Sequence, residues 1–130
     1  MFRKITDINH VMKKTLIIGA STNPQRYSFL AANRLANHGY PIVMLGLKKG
    51  QVADNQIQTG KPILNDIDTV TLYIGPGHQP EWYEYVINLH PKRVIFNPGT
   101  ENKEFEQLLK KEGIEVLEAC TLVLISIGAY

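Results

Sequence analysis

The chain has 130 residues, 44% of them hydrophobic, and a formal net charge of +2, the size and apolar content of one domain with one core and no room for a second catalytic domain. Its basic residues are scattered, so no nucleic-acid footprint is expected, although a local anion site remains open. The lone cysteine, Cys120, excludes an internal disulfide, and no apolar stretch is long enough to cross a bilayer or to form the middle of a signal peptide; the expectation is a soluble cytoplasmic protein.

Residues 1–13 show weak periodicity and are expected to be a peripheral extension, with Met12 a plausible translation start of its own; the domain proper is then 14–130. From Lys14 the run KTLIIGASTNP reads as a buried strand that stops at Gly19 and turns at once into a helix. A short apolar run bounded by turn residues suits a strand covered on both faces, and glycine turns the backbone without a Cβ clash. Ser21, Thr22 and Asn23 then offer side-chain oxygens and N–H groups just ahead of the helix, where the positive dipole end attracts anions. Any βα turn looks similar, and Ser21 serves equally well as a helix cap.

Leu30, Ala31, Ala32 and Leu35 form the apolar face of a helix over about 28–37, stopped at Gly39. Residues 41–45 (PIVML) read as a second buried strand ending at Gly46, followed by a weakly patterned loop that starts with Lys48 and Lys49 and runs through Gly60. A third strand over 69–74 is broken by Gly75, Pro76 and Gly77 before a helix carrying Trp82, Tyr85, Val86 and Leu89, a spacing that places Trp82 in the core. The fourth strand is 93–96, Asn97, Pro98, Gly99 and Thr100 make its turn, and Phe105, Leu108 and Leu109 face inward from the next helix. Residues 114–117 form a fifth strand, and the apolar tail at 121–127 reads as an edge strand or a dimer face.

Strands alternating with helices build parallel sheets through βαβ crossovers. The expected architecture is α/β: a Rossmann-like three-layer sandwich with a five-stranded, mostly parallel sheet. Strand order reverses beside the first strand in such folds, and ligands bind at the carboxyl ends of the strands there. The loops that would meet in that crevice are 19–26, 46–49, 75–78 and 97–100. The dinucleotide fingerprint is absent, since Ser21 and Pro24 stand where its later glycines belong, and Lys48 and Lys49 follow the second strand where an acidic residue would hold ribose hydroxyls. Two lysines there suit a phosphorylated ribose, as in NADP or in the 3′-phosphorylated adenosine of coenzyme A. Arg26 offers a bidentate contact to pyrophosphate, against the reading of a solvated first-turn arginine. His78 reads as a cap or surface residue and Cys120 as a buried small residue ahead of any ligand contact, and no Asp, Glu and His cluster has metal-ligand spacing.

Several of these segments together resemble the small single-domain CoA-binding proteins, whose fold is shared by the N-terminal domain of the succinyl-CoA synthetase α subunit. The resemblance is carried by Ile18-Gly19-Ala20-Ser21, Asn23-Pro24, Arg26-Tyr27-Ser28, the Gly39-Tyr40-Pro41-Ile42-Val43 turn and strand, and Lys48. It continues through Asn97-Pro98-Gly99-Thr100-Glu101-Asn102, Glu112-Gly113-Ile114-Glu115-Val116 and Cys120. It implies a pyrophosphate at the first βα turn and an adenine near the loop after the second strand. Leu45-Gly46-Leu47 replaces the family's usual Asn-Pro, Phe96-Asn97 replaces an aromatic and Gln, and the run 122–126 replaces a basic tail. The expected function is binding of CoA or acyl-CoA by a module with no catalytic residue and no metal. The expected contacts are Gly19, Ala20, Ser21, Thr22, Asn23, Arg26, Ser28, Lys48, Gly75, Pro76, Asn97, Pro98 and Gly99. An NAD(P)-sensing domain and the partner subunit of an acyl-CoA ligase are the alternatives, and a homodimer through the tail is the expected assembly.

Overall fold

A computed structural model describes residues 13–130; of the expected extension, residues 1–12 lie outside the described residues. The strands are β1 (Thr15–Ala20), β2 (Ile42–Gly46), β3 (Gly50–Val52), β4 (Asn55–Gln58), β5 (Thr69–Leu72), β6 (Arg93–Phe96) and β7 (Glu115–Glu118). The helices are α1 (Tyr27–Asn37), α2 (Tyr83–Leu89), α3 (Lys103–Lys111) and α4 (Thr121–Ser126), with 3-10 turns at Pro76–His78 and Pro80–Trp82. The sheet runs β3-β4-β2-β1-β5-β6-β7 and is parallel except where β3 pairs antiparallel with β4.

Alternate residues of β1, β2 and β6 feed two cores, which is why these strands read as apolar runs, whereas β5 gives Val70 and Leu72 to one core and presents the buried Thr69 and Thr71 on its other face. Leu16 and Ile18 join Val70, Leu72, Val94 and Phe96 beneath Val86 of α2 and Phe105 and Leu109 of α3. Ile17, Met44 and Ile95 face the other way, against Ala32 and Leu35 of α1 and Ile125 of α4. The three-layer sandwich is therefore present, but the sheet has seven strands and not five. Both additional strands come from the segment expected to be loop. Each buries one apolar residue, Val52 or Ile57, so neither gives a strand-like alternation. Their connecting turn is Ala53-Asp54, with φ of 52° and 61°. This is the primed geometry that hairpins favour, here without the glycine that marks it in a sequence.

The apolar tail also departs from expectation, since residues 121–126 are helical and not an edge strand. A short apolar run fits a buried helix as well as a strand, and Ile125 is buried against α1's side of the sheet while Val123 and Ile127 remain exposed. Beyond it the chain returns to the amino ends of the strands. There the Tyr130 hydroxyl hydrogen-bonds Thr15 Oγ1, its ring lies 4.3 Å from the Arg93 guanidinium carbon, and its edge meets Tyr40 at 4.8 Å. Trp82 is half-buried against the first core, in the turn before α2.

The opposite end of the sheet depends on two backbone approaches. Gly19 has φ +96°, and a Cβ built on it would lie 2.7 Å from the Tyr73 carbonyl oxygen. On the other flank of β1, a Cβ on Gly46 would strike the Ala20 carbonyl oxygen. Replacing Gly19 by alanine is expected to cost about 1–3 kcal/mol through the left-handed backbone alone, read as a lowered denaturant midpoint. An unchanged midpoint would show that the two strands can separate without penalty.

Candidate functional site

Strand order reverses between β1 and β5: β2 and β4 lie on one side of β1, β6 and β7 on the other. The loop after β1 leads to α1 on one face of the sheet, and those after β5 and β6 lead to α2 and α3 on the opposite face. A crevice therefore opens between the carboxyl ends of β1 and β5, the geometry in which open α/β sheets bind ligands.

Its first wall is the turn at 21–26. Ser21 Oγ accepts from Asn23 N–H at 3.0 Å, and Asn23 Oδ1 accepts from Gln25 N–H at 3.0 Å. These bonds stiffen the turn. They also correct the reading of Ser21 as a helix cap, because Arg26 holds the cap position, with extended backbone and no side-chain capping bond. No acidic residue lies in the first turn of α1, so its positive end is not offset locally. Thr22, Asn23 and Arg26 are exposed, whereas Ser28 is buried under the helix. Thr22 is braced from behind, since a Cβ on Gly50 would meet its methyl at 2.5 Å. The connection from β2 to β3 thus supports the turn, and on that connection Leu47, Lys48 and Lys49 are exposed.

The second wall consists of the loops after β5 and β6. Gly75, Pro76, Gly77 and His78 are exposed, as are Pro98 and Gly99. The Gly99 N–H donates to Glu101 Oε1 at 2.8 Å. Asn97, one of the expected contacts, is 3% exposed. Its Nδ2 donates to Thr71 Oγ1 at 2.7 Å and to the Leu72 carbonyl at 2.8 Å, and its Oδ1 accepts from Thr121 N–H at 2.9 Å. Both amide hydrogens are spent, and the side chain ties β5, β6 and α4 together. Thr100 is likewise buried, donating to the Asn97 carbonyl at 2.8 Å.

Two residues missed by sequence reasoning sit at the floor and in the second wall. Tyr73 follows β5 directly and its N–H donates to the Ile18 carbonyl at 2.8 Å. Its hydroxyl is buried without a hydrogen-bond partner among the described residues. Burial pushes the phenol up to about 12; the Thr121 and Thr71 hydroxyls pull the other way, but neither is placed to complete a hydrogen bond, and half-buried Cys120 lies near enough to add to the rise. Gln79 is fully buried between the two loops. Nothing in the surrounding Gly-Pro-Gly-His-Gln-Pro marks it, because a buried amide shows no periodic signature.

No group of three His, Cys, Asp or Glu among the described residues could hold a metal ion, and no helix among them is long and apolar enough to cross a membrane. A separate groove of about 560 Å³, lined by Asn33, Asn37, Tyr40, Asp54 and Asn55, lies at the amino ends of the strands and contains none of the expected contacts.

The switch-point crevice, the glycine-bearing first turn and the mostly parallel sheet define a Rossmann-like α/β domain of the ligand-binding kind. More narrowly, the chain belongs to the CoA binding domain family, which matches residues 13–126. The crystal structure of an uncharacterized protein is 50% identical, with a TM-score of 0.89 over 92% of this chain and 98% of that one. The structure of cell-free ID.343 from Thermus thermophilus, 19% identical, has a TM-score of 0.81 over 99% of this chain and 98% of that one and supports the fold alone. A hypothetical protein from Pyrococcus horikoshii OT3 is 25% identical, with a TM-score of 0.77 over 91% of this chain and 87% of that one. None of the curated proteins matches the sequence.

The buried phenol gives the fold an alkaline limit. Its folded form resists ionisation, so above its ordinary value near 10 the unfolded chain sheds the proton first and stability falls from there towards pH 12. Tyr73→Phe removes a hydroxyl with no partner, so it is expected to leave neutral-pH stability unchanged or raised by up to about 1 kcal/mol, and to flatten the alkaline decline. Tyr40, Tyr83, Tyr85 and Tyr130, also raised by burial, contribute to the remainder. Thermal melts from pH 7 to 11 check this, and a Tyr73→Phe profile parallel to that of the unsubstituted protein would contradict it.

Proposed function

We propose that the protein binds coenzyme A or an acyl-CoA across the carboxyl ends of β1 and β5, as a binding module without chemistry of its own. The carrying observation is the first turn: a stiffened segment at 21–26, exposed from Thr22 onward, that opens into a helix without a first-turn acid, beside a connection bearing two exposed lysines. The pyrophosphate lies against Ser21, Thr22 and Asn23 at the positive end of α1, with Arg26 as its charged partner. The ribose phosphate lies against Lys48, with Lys49 beside it. The pantetheine arm crosses towards Gly75 and Pro76 and the exposed Pro98 and Gly99. The groups assigned to these contacts are glycines, prolines, hydroxyls and cations, which bind and orient a ligand. Membership of the CoA binding domain family supports the same ligand class. Lysines in place of an acid after β2 argue against NAD.

Calorimetric titration with CoA, acetyl-CoA, dephospho-CoA, NAD and NADP tests the reading. CoA and acetyl-CoA are expected to bind in the micromolar range, with dephospho-CoA about tenfold weaker for want of the ribose phosphate. Tight NADP binding with silent CoA forms would overturn it. Arg26→Ala is expected to weaken CoA about tenfold with the fold intact. Lys48→Ala is expected to narrow the gap between CoA and dephospho-CoA, and an unchanged gap would remove Lys48 from the site.

A further inference from the structure

One buried side chain joins the two loops of the second wall. Gln79 is 0% exposed. Its Nε2 donates to the Ile74 carbonyl at 3.0 Å, just beyond β5, and to the Thr100 carbonyl at 2.7 Å, in the loop after β6. Its Oε1 accepts from Asn102 Nδ2 at 3.0 Å. Asn102 in turn donates to the Tyr83 hydroxyl at 2.9 Å and accepts from Phe105 N–H at 3.2 Å, which caps α3. One amide pair therefore holds the loop after β5, the start of α2, the loop after β6 and the start of α3.

A buried amide costs free energy unless its hydrogen bonds are made. An apolar side chain of the same length would fill the space but take from the Ile74 and Thr100 carbonyls the donor that Gln79 supplies. What the amide adds is direction, because its two donors hold one carbonyl in each of the two loops and its acceptor holds the Asn102 side chain, which together fix the separation of the loops. Of the exposed residues above it, Gly75, Pro76, Gly77, Pro98 and Gly99 carry no long side chain that could pack and fix them, and only His78 does, so the placement of these five depends on what lies beneath. We propose that Gln79 is a positioning residue that sets the spacing of this wall and thereby the path of the ligand's pantetheine arm, without touching the ligand. The inference rests on the CoA reading above.

The test compares CoA with adenosine 3′,5′-bisphosphate, which carries the adenine and ribose phosphate but no pantetheine arm. Gln79→Leu is expected to weaken CoA about tenfold while holding the bisphosphate within about twofold. Asn102→Asp keeps the oxygen that caps α3 and removes the donor to Gln79; it is expected to show the same selectivity to a smaller degree, and it decides the matter if Gln79→Leu does not fold. A merely structural role would weaken both ligands together. Equal losses for the two ligands, or unaltered CoA binding in both variants, would overturn the positioning role while leaving the CoA reading in place. Failure of the unsubstituted protein to bind CoA would instead overturn that reading, and the inference with it.

Discussion

At Gly19 the end of β1 passes so close to the Tyr73 carbonyl that no side chain fits between them. The Tyr73 N–H simultaneously donates to the Ile18 carbonyl, so β1 and β5 stay joined up to the point where they part. The left-handed backbone at Gly19 then carries the chain towards α1 while β5 runs on to the opposite face. On the other flank Gly46 brings β2 against the Ala20 carbonyl. Three backbones converge here with main chain against main chain, and the loops after β1, β2 and β5 depart from this junction.

The two ends of the sheet are finished differently. At the amino ends, Tyr130 covers Thr15 and stacks on Arg93, whose Nε donates to Thr69 Oγ1 at 2.8 Å. That end is closed by aromatic packing over a buried cation. At the carboxyl ends the closure is polar and lies below the surface: Asn97, Thr71 and Thr121 form a small network, with Thr71 and Thr121 hydroxyls 2.8 Å apart. Above that floor the glycines and prolines of the loops remain exposed. Rigid below and open above is the arrangement a ligand site needs, because the entropy of ordering the loops is already spent in folding.

Much of this was legible in the residues. β1, β2 and β6 carry apolar runs between turn residues, and burial on both faces of a parallel sheet is what produces such runs. The helices with a distinct buried face, carrying Leu35 and Phe105, were equally plain. The hairpin of β3 and β4 was not, because its strands are polar, bury a single residue each and turn through Ala53-Asp54 without glycine. The tail at 121–126 was misread because four consecutive apolar residues carry no period. At the site, the first turn was visible as a sequence motif, whereas nothing in the sequence showed that the Asn97 side chain pins β5, β6 and α4 together. Gln79 could not be found at all, since its role exists only once two loops distant in sequence lie side by side.

The central claim is that this crevice, at the junction of β1 and β5, is where the molecule meets its ligand. Amide chemical shifts of the nitrogen-15-labelled protein during titration with CoA test it residue by residue. The largest changes are expected at residues 21–27 and 75–78, with smaller ones at 47–49. Changes confined to the groove around Asn33, Asn37, Asp54 and Asn55, or no changes at saturating CoA, would contradict the account.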